Sequence, residues 1–268
     1  MAGCLTPILL KGNDTYYPCG KCPTCVARRI SNWSFRMLQH AKAHPIKHFV
    51  TLTYNTTNVP LLSNGLKTLQ KSDLQKFFKR LRKNNPLKIS YYAVGEYGDK
   101  TKRPHYHIIL FNANEADIVK AWTLDNKALG SIHFDPVNEA TIGYALKYIC
   151  KPKHKVEWLN GRQQVFANIS KGMGLNYLTS AMIRWHKNDL TNRQYCNLPD
   201  GKKISMPRYY KLKLYSEEEQ KDIGVAVSLK MHEEQIKLLE DINYLTTRKA
   251  RVKAAYQEMY RKSLKTKI

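Results

Sequence analysis

The sequence predicts an α+β protein: a central antiparallel sheet with flanking helices, a cysteine-rich segment before it and charged helices after it. Three observations lead there. Between residues 48 and 134, short β-branched and aromatic runs alternate with two helical periodicities in the order βαββαβ. Two of those runs are joined by one short glycine-containing turn, which makes them an antiparallel hairpin. A chain of 268 residues also suits one main domain with appendages better than two large domains.

His48-Phe49-Val50-Thr51-Leu52-Thr53-Tyr54-Asn55 has strand length and strand composition, and polar turn residues end it. Ser72-Asp73 offers a helix cap ahead of Leu74, Phe77, Phe78 and Leu81, whose i, i+3, i+4, i+7 spacing marks one buried face. Asn84-Asn85-Pro86 stops that helix, and its outer face carries Lys76, Lys79, Arg80, Arg82 and Lys83. Lys88 to Glu96 is the second strand. A turn through Gly98-Asp99-Lys100 leads into Arg103-Pro104-His105-Tyr106-His107-Ile108-Ile109-Leu110-Phe111, the third. A second helix around Glu115 to Asp125 places Ile118, Val119 and Trp122 on one side, and Ser131 to Phe134 is a short strand. This order is the ferredoxin-like or RRM-like arrangement, with its helices segregated to one face of the sheet.

Asn138-Glu139 opens a further helix that Lys151-Pro152 closes. Leu198-Pro199-Asp200-Gly201-Lys202 is a turn between two extended runs, Asn192 to Leu198 and Lys203 to Tyr210, and predicts a hairpin. Ser216-Glu217-Glu218-Glu219 is a capping box before charged helices with an apolar stripe of Ile236, Leu239, Ile242 and Leu245. The expected division is a cysteine-rich segment and helix over 1–40, the core over 41–155, an extension with the hairpin over 156–215 and a helical tail over 216–268.

Lysine and arginine number 45 against 21 acids, a net charge of +24. Residues 1–216 hold 34 of those bases and 12 of the acids, whereas residues 217–268 hold 11 and 9. A positive field concentrated on the main domain is the footprint of a polyanion-binding surface. No apolar run approaches the roughly 18 residues of a membrane span, so nucleic acid is the expected partner and a membrane is not. Met1-Ala2-Gly3-Cys4 lacks a charged-then-apolar leader, and the expected location is the cytosol.

The chemistry concentrates in two stretches. His105 and His107, at i and i+2 of a strand, present two imidazoles to one side, and the hairpin returns Glu96 next to His105. One carboxylate and two neutral imidazoles suit Mg²⁺ or Mn²⁺, with positions open for phosphate oxygens and water. Asp99 and His133 are rival third ligands. Tyr144 and Tyr148, at i and i+4 of a helix, offer two phenols roughly 6 Å apart, while Ile142, Ala145, Leu146 and Ile149 serve as the buried face. A phenol with a reference pKa of about 10 needs metal-polarised phosphate or nearby cations to attack at neutral pH; Lys147 is one such cation. Arg103, Lys151, Lys79 and Arg80 are expected DNA contacts, as are Arg28 and Arg29 beside the cysteines. Cys4, Cys19, Cys22 and Cys25 have the ligand content of a structural Zn²⁺ site, with free thiols or a redox-labile cluster as alternatives.

These residues resemble a known family. His105-Tyr106-His107 is similar to the His-hydrophobe-His motif of HUH endonucleases, with tyrosine in the middle position. Tyr144-x-x-Lys147-Tyr148 resembles the two-tyrosine motif of their rolling-circle replication initiators, and Thr51-Leu52-Thr53-Tyr54 resembles their first motif. The closer resemblance is to the replication initiators of gokushovirus-type microviruses, which are single-stranded DNA phages. It rests on Pro18-Cys19-Gly20-Lys21-Cys22-Pro23-Thr24-Cys25 and Met206-Pro207-Arg208-Tyr209-Tyr210, and it spans most of the chain to about residue 215.

That resemblance implies the HUH endonuclease fold and a tyrosine that attacks single-stranded origin DNA. The products are a 5′-phosphotyrosine and a free 3′-OH primer, and the second tyrosine serves a second strand transfer that recloses the circle. It also implies the bacterial host's cytoplasm as the place of action. The 268 residues contain no Gly-x-x-x-x-Gly-Lys-Ser/Thr loop, so unwinding and synthesis are expected from a host helicase and polymerase. The competing readings are a single-tyrosine transposase or plasmid initiator, and a single-strand binder without catalysis.

Overall fold

The computed structural model describes residues 4–9, 12, 16–150, 160–198 and 200–264, without the side chains of residues 147–150, 235 and 262–264. Two compact units divide the chain: Ser34–Asn176, and Met1–Trp33 with Tyr177–Ile268. The second begins with a small antiparallel hairpin of β1 (Ile8–Leu9) and β2 (Tyr16–Tyr17), followed by α1 (Pro23–Lys42), which runs on into the first.

In Ser34–Asn176 the elements are β3 (Lys47–Thr53), α2 (Lys71–Asn84), β4 (Ser90–Tyr97), β5 (Pro104–Phe111), α3 (Glu115–Ala121), a short hairpin of β6 (Thr123–Leu124) and β7 (Lys127–Ala128), β8 (Ile132–Asp135), α4 (Glu139–Cys150) and β9 (Phe166–Ile169). Five strands form one antiparallel sheet in the order β8-β3-β5-β4-β9. The first four follow the expected βαββαβ plan. β5 inserts between β3 and β4, while β3 itself lies between β5 and β8, so two crossovers interleave through α2 and α3. Crossovers of one hand put both helices on one face of the sheet.

Strand alternation then sorts the side chains. Val50, Leu52, Ala93, Tyr106, Ile108 and Leu110 point to the α2/α3 face and pack with Leu74, Phe77, Phe78, Leu81, Ile118 and Trp122. Each large side chain buried there contributes about 1.5–3 kcal/mol. The intervening residues Phe49, Thr51, His105, His107 and Ile109 point the other way. That face is covered by α4, whose Ile142, Ala145 and Leu146 are buried, and by the end of α1, where His40 meets Phe111 edge-on at 4.7 Å. The helices are therefore not confined to one face.

Several local expectations yield to tertiary contacts. α2 begins at Lys71 with Gln70 as an N-cap that makes no side-chain bond. The Asp73 carboxylate instead accepts from the Tyr54 hydroxyl at 2.9 Å, because a buried phenol needs an acceptor more than an exposed helix end needs a cap. α3 stops at Ala121, four residues short of the expected end, and Asp125 and Asn126 take positive φ in the tight β6–β7 turn. Val119, expected beside Ile118 and Trp122, is 47% exposed.

β9 was not expected from sequence. Its Phe166 ring packs directly over Gly95, where an added Cβ would lie 2.9 Å from the ring, so the strand next to Glu96 needs glycine at that position.

The remaining unit contains α5 (Ser180–Lys187), β10 (Tyr195–Asn197), β11 (Lys203–Ser205), α6 (Arg208–Leu214), α7 (Glu217–Leu239) and α8 (Tyr244–Leu264). The expected hairpin forms, but it is shorter: Pro207 ends it and serves as N-cap of α6, in which Tyr210 is buried. The capping box is present, with Ser216 accepting from the Glu219 amide and Glu219 returning to the Ser216 amide. The tail's apolar stripe does not form. Residues 240–243 separate α7 from α8 and shift the helical phase, leaving Ile236, Leu239, Ile242 and Leu245 between 48% and 97% exposed.

Candidate active site and metal centre

Glu96 is paired with His105 across the β4–β5 hairpin, and His107 lies two residues further along the same face. The register brings three ligand atoms together. The Nε2 atoms of His105 and His107 lie 2.8 and 3.0 Å from the same oxygen, Oε1 of Glu96, and all three side chains are largely buried. Of the rival ligands, Asp99 is exposed in the hairpin turn, and His133, beyond Thr51 on β8, pairs with Asp135 at 3.4 Å.

The backs of both rings are held. Nδ1 of His105 is 3.2 Å from the Arg103 carbonyl, which can only accept, so Nδ1 carries the proton and Nε2 presents its lone pair to Glu96. Nδ1 of His107 is 3.0 Å from the Thr51 hydroxyl. Burial alone would raise the pKa of Glu96, but the hydrogen bonds and charges of His105 and His107 outweigh it and hold the carboxyl below its ordinary value. An imidazole lone pair facing a carboxylate oxygen at 2.8 Å needs a cation between them. Two ligands in adjacent octahedral positions at about 2.1 Å from a metal lie about 3 Å apart, which is the spacing found. The three residues thus fit a divalent ion, and their nitrogen and oxygen donors suit a hard or borderline one.

Tyr144 completes the arrangement. Its ring lies edge-on to His107, with centroids 5.2 Å apart, and 6.1 Å from Phe49. Phe49 in turn stacks on His107 at 5.6 Å. Helix α4 therefore delivers one of its two tyrosines against the histidine face of the sheet. The side chains of Tyr148 and Lys147, and the whole of Lys151, lie outside the described residues.

Tyr106, between the histidines, faces the opposite side. It is fully buried with Trp122 and donates to the Gln70 carbonyl at 2.8 Å, its hydroxyl 2.8 Å from that of Tyr54. A polar tip at a position where a plain hydrophobe is expected is thus fully satisfied.

Known proteins agree with this geometry. Residues 47–153, which include the sheet strands β3, β4, β5 and β8 and helix α4, match the family model described as replication-associated protein ORF2. The replication-associated protein ORF2 of Spiroplasma virus 4 is 31% identical over 222 residues, covering 74% of this chain and 67% of that protein. The chain belongs to this family of phage replication-associated proteins. Replication-associated protein VP4 of Bdellovibrio phage phiMH2K is 27% identical over 215 residues, with 72% of this chain and 66% of that protein covered. For replication-associated protein ORF4 of Chlamydia phage 1 the figures are 28% over 234 residues, 76% and 56%. The chain thus spans a little over half to about two thirds of the curated relatives it matches, and they bear out the resemblance to gokushovirus-type replication proteins. No solved structure matches it.

Of the basic residues expected to meet DNA in this family member, Lys79 is exposed on α2. Arg80 donates from Nε to the Ala121 carbonyl at 2.7 Å, and Arg103 donates twice to the Tyr54 carbonyl at 2.7 and 3.2 Å. Both guanidinium groups therefore tie loops to the core as well as adding charge. Arg29 is exposed and donates to the Gly20 carbonyl at 3.1 Å, and Arg28 approaches the Cys25 sulfur at 3.6 Å. Arg36, expected to help set the cysteines against DNA, is instead buried with two bonds to the Met173 carbonyl.

The residue that sequence reading left without a role is Thr51. Its signal was present: the register that pairs β3 with β5 puts Thr51 directly across from His107.

The four N-terminal cysteines converge, their sulfurs all within 4.8 Å of one another. Burial pushes Cys25 up to about 12. Cys22 is also raised by burial, but hydrogen bonds from Thr24 and the Leu5 amide bring it down to about 5. Among the described residues no helix is long and apolar enough to cross a membrane.

Proposed function

We propose that this protein is a replication initiation endonuclease that nicks single-stranded DNA at a phage origin through a 5′-phosphotyrosine intermediate and later rejoins the ends. One observation carries the reading: Tyr144 stands edge-on to His107, whose Nε2 shares a Glu96 oxygen with His105. A nucleophile-bearing side chain and a cation-binding triad meet on one sheet face. The replication names of the relatives and the +24 charge support a DNA substrate.

Glu96, His105 and His107 would hold Mg²⁺ or Mn²⁺, which as a Lewis acid would draw charge from the scissile phosphate. At pH 7 a phenol with pKa of about 10 is ionised in about one molecule in a thousand, so Tyr144 needs that help and the surrounding positive field. The Tyr144 oxygen forms a bond to phosphorus and releases its proton to solvent. The bond from phosphorus to the 3′-oxygen breaks, and the departing oxygen takes up a proton to become the 3′-OH primer. One phosphodiester is exchanged for another, so no nucleotide is hydrolysed and the step reverses when a 3′-OH attacks the tyrosyl phosphate. Thr51 and the Arg103 carbonyl keep the imidazoles turned to the ion. Tyr148 serves the second transfer, Lys147 supplies a nearby cation, and a host helicase and polymerase in the bacterial cytoplasm extend the primer.

The test is an origin oligonucleotide labelled at its 3′ end, because the 5′-phosphate side of the nick stays on the protein. Incubation with Mn²⁺ should give a labelled protein band that survives denaturation and disappears with chelator. A free 5′-phosphate product without an adduct would make the protein a hydrolytic nuclease, and binding without any cut would make it a single-strand binder.

A further inference from the structure

The cysteine cluster plays no part in the nicking chemistry, and its inference stands independently of that reading. Cys4 precedes the β1–β2 hairpin, Cys19 and Cys22 flank a tight turn in which Gly20 takes φ +72°, and Cys25 lies in the first turn of α1. The four sulfurs lie within 4.8 Å of one another, the Cys4–Cys22 pair at 3.9 Å, and all four cysteines are free. A tetrahedral Zn²⁺ with bonds of about 2.3 Å sets its sulfurs about 3.8 Å apart. An iron–sulfur cluster, for which Cys-x-x-Cys-x-x-Cys is also a familiar spacing, gives each thiolate its own iron and spreads the sulfurs by the width of the cluster. The packing here is that of a single ion.

The surroundings treat the sulfurs as thiolates. Backbone amides donate to them: Cys19 to Cys4 at 3.3 Å, Leu5 to Cys22 at 3.4 Å, and Lys21 and Cys22 to Cys19 at 3.4 and 3.3 Å. The Thr6 hydroxyl donates to Cys19 at 3.3 Å and the Arg28 guanidinium to Cys25 at 3.6 Å. Such a set of donors spreads the negative charge that several thiolates bring to one ion.

The segment also lacks another means of holding its shape. β1 and β2 are two residues each, and Ile8, Leu9 and Tyr16 are 47%, 52% and 54% exposed, too little burial for a hairpin to stand alone.

We propose that Cys4, Cys19, Cys22 and Cys25 hold one structural zinc ion that staples the N-terminal segment to the start of α1. Four protein ligands close the coordination shell and leave no place for a reacting water, so the ion serves folding and not chemistry.

The full chain, purified with reductant and without chelator, should contain one zinc per molecule by elemental analysis. Cobalt exchanged into the site should show the strong charge-transfer absorption of a four-thiolate centre. C25S should lower zinc content several-fold, whereas C196S, which alters a buried cysteine outside the cluster, should leave it unchanged. Should C25S fail to fold, alkylation of the native wild type decides the matter. Chelation should make Cys4, Cys19, Cys22 and Cys25 reactive together and open new protease cuts before α1. Absence of zinc, a coloured iron centre, fewer than the six sequence thiols in unreduced denatured protein, or alkylation and cutting indifferent to chelator would each overturn the assignment.

Discussion

Tyr144 meets His107 edge to face, ring centroids 5.2 Å apart and planes at 87°. A tyrosine serving only to fill space against an imidazole would leave its hydroxyl without chemical consequence, so Tyr→Phe separates packing from catalysis. Tyr144→Phe keeps the ring contact and should lower adduct formation on a short origin oligonucleotide while leaving the melting temperature unchanged. Residual adduct should map by mass spectrometry to Tyr148, the Tyr144→Phe, Tyr148→Phe double variant should form none, and each single variant should fail to release closed circles. Full multi-round replication by Tyr148→Phe would make this a one-tyrosine enzyme.

His105→Ala and His107→Ala should each abolish cleavage yet bind single strands within about threefold of wild type, because the basic surface sets most of the affinity and the triad sets the chemistry. Glu96→Gln keeps the shape of the side chain but removes the charge both imidazoles face, and should raise the Mn²⁺ needed for half-maximal cleavage. Unchanged metal dependence in Glu96→Gln would mean that the ion is held elsewhere.

Thr51→Val removes the hydroxyl 3.0 Å behind His107 without changing the strand's shape. Loss of a partner behind a ligating imidazole costs about 10–100-fold in metal affinity or activity. A Mn²⁺ titration of cleavage should show that shift for Thr51→Val and little of it for Thr51→Ser. Equal curves for both variants would reduce Thr51 to a strand residue.

His40 makes stability depend on pH. Burial first, then the positive charges of His44 and Arg36, lowers its pKa from 6.5 to about 4. Its Nδ1 accepts from the Gly174 amide at 3.3 Å and its Nε2 lies 2.6 Å from the Ser90 hydroxyl, so a second proton has no acceptor to meet. The fold prefers the neutral ring. Stability from this group is fully present above about 6.5 and is lost as pH falls from there toward about 4. Melting temperatures across that window should fall less in His40→Gln, which keeps a donor for Ser90, than in wild type; parallel slopes would locate the acid sensitivity in other groups.

The sheet order and the triad were legible because both rest on short-range rules. Alternation along a strand puts His105 and His107 on one side whatever surrounds them, and a short turn forces Glu96 opposite His105. The core of α2 was equally plain, since Leu74, Phe77, Phe78 and Leu81 can share only one helical face. Partners distant in sequence were not legible. Asp73 looked like a cap until the phenol of Tyr54, nineteen residues away, claimed its carboxylate. Arg103 and Arg80 looked free for DNA until backbone carbonyls 49 and 41 residues away took their donors. The fifth strand escaped notice because Phe166-Ala167-Asn168-Ile169 is too short to announce itself, and only the open edge of β4 gives it a place. Sequence alone thus determined which residue types could do the chemistry and which side of each element they occupy. Tertiary structure decided that the tyrosine helix crosses the histidine face and not the opposite one, because α2 and α3 had already covered the other side and left this one to be buried by α4.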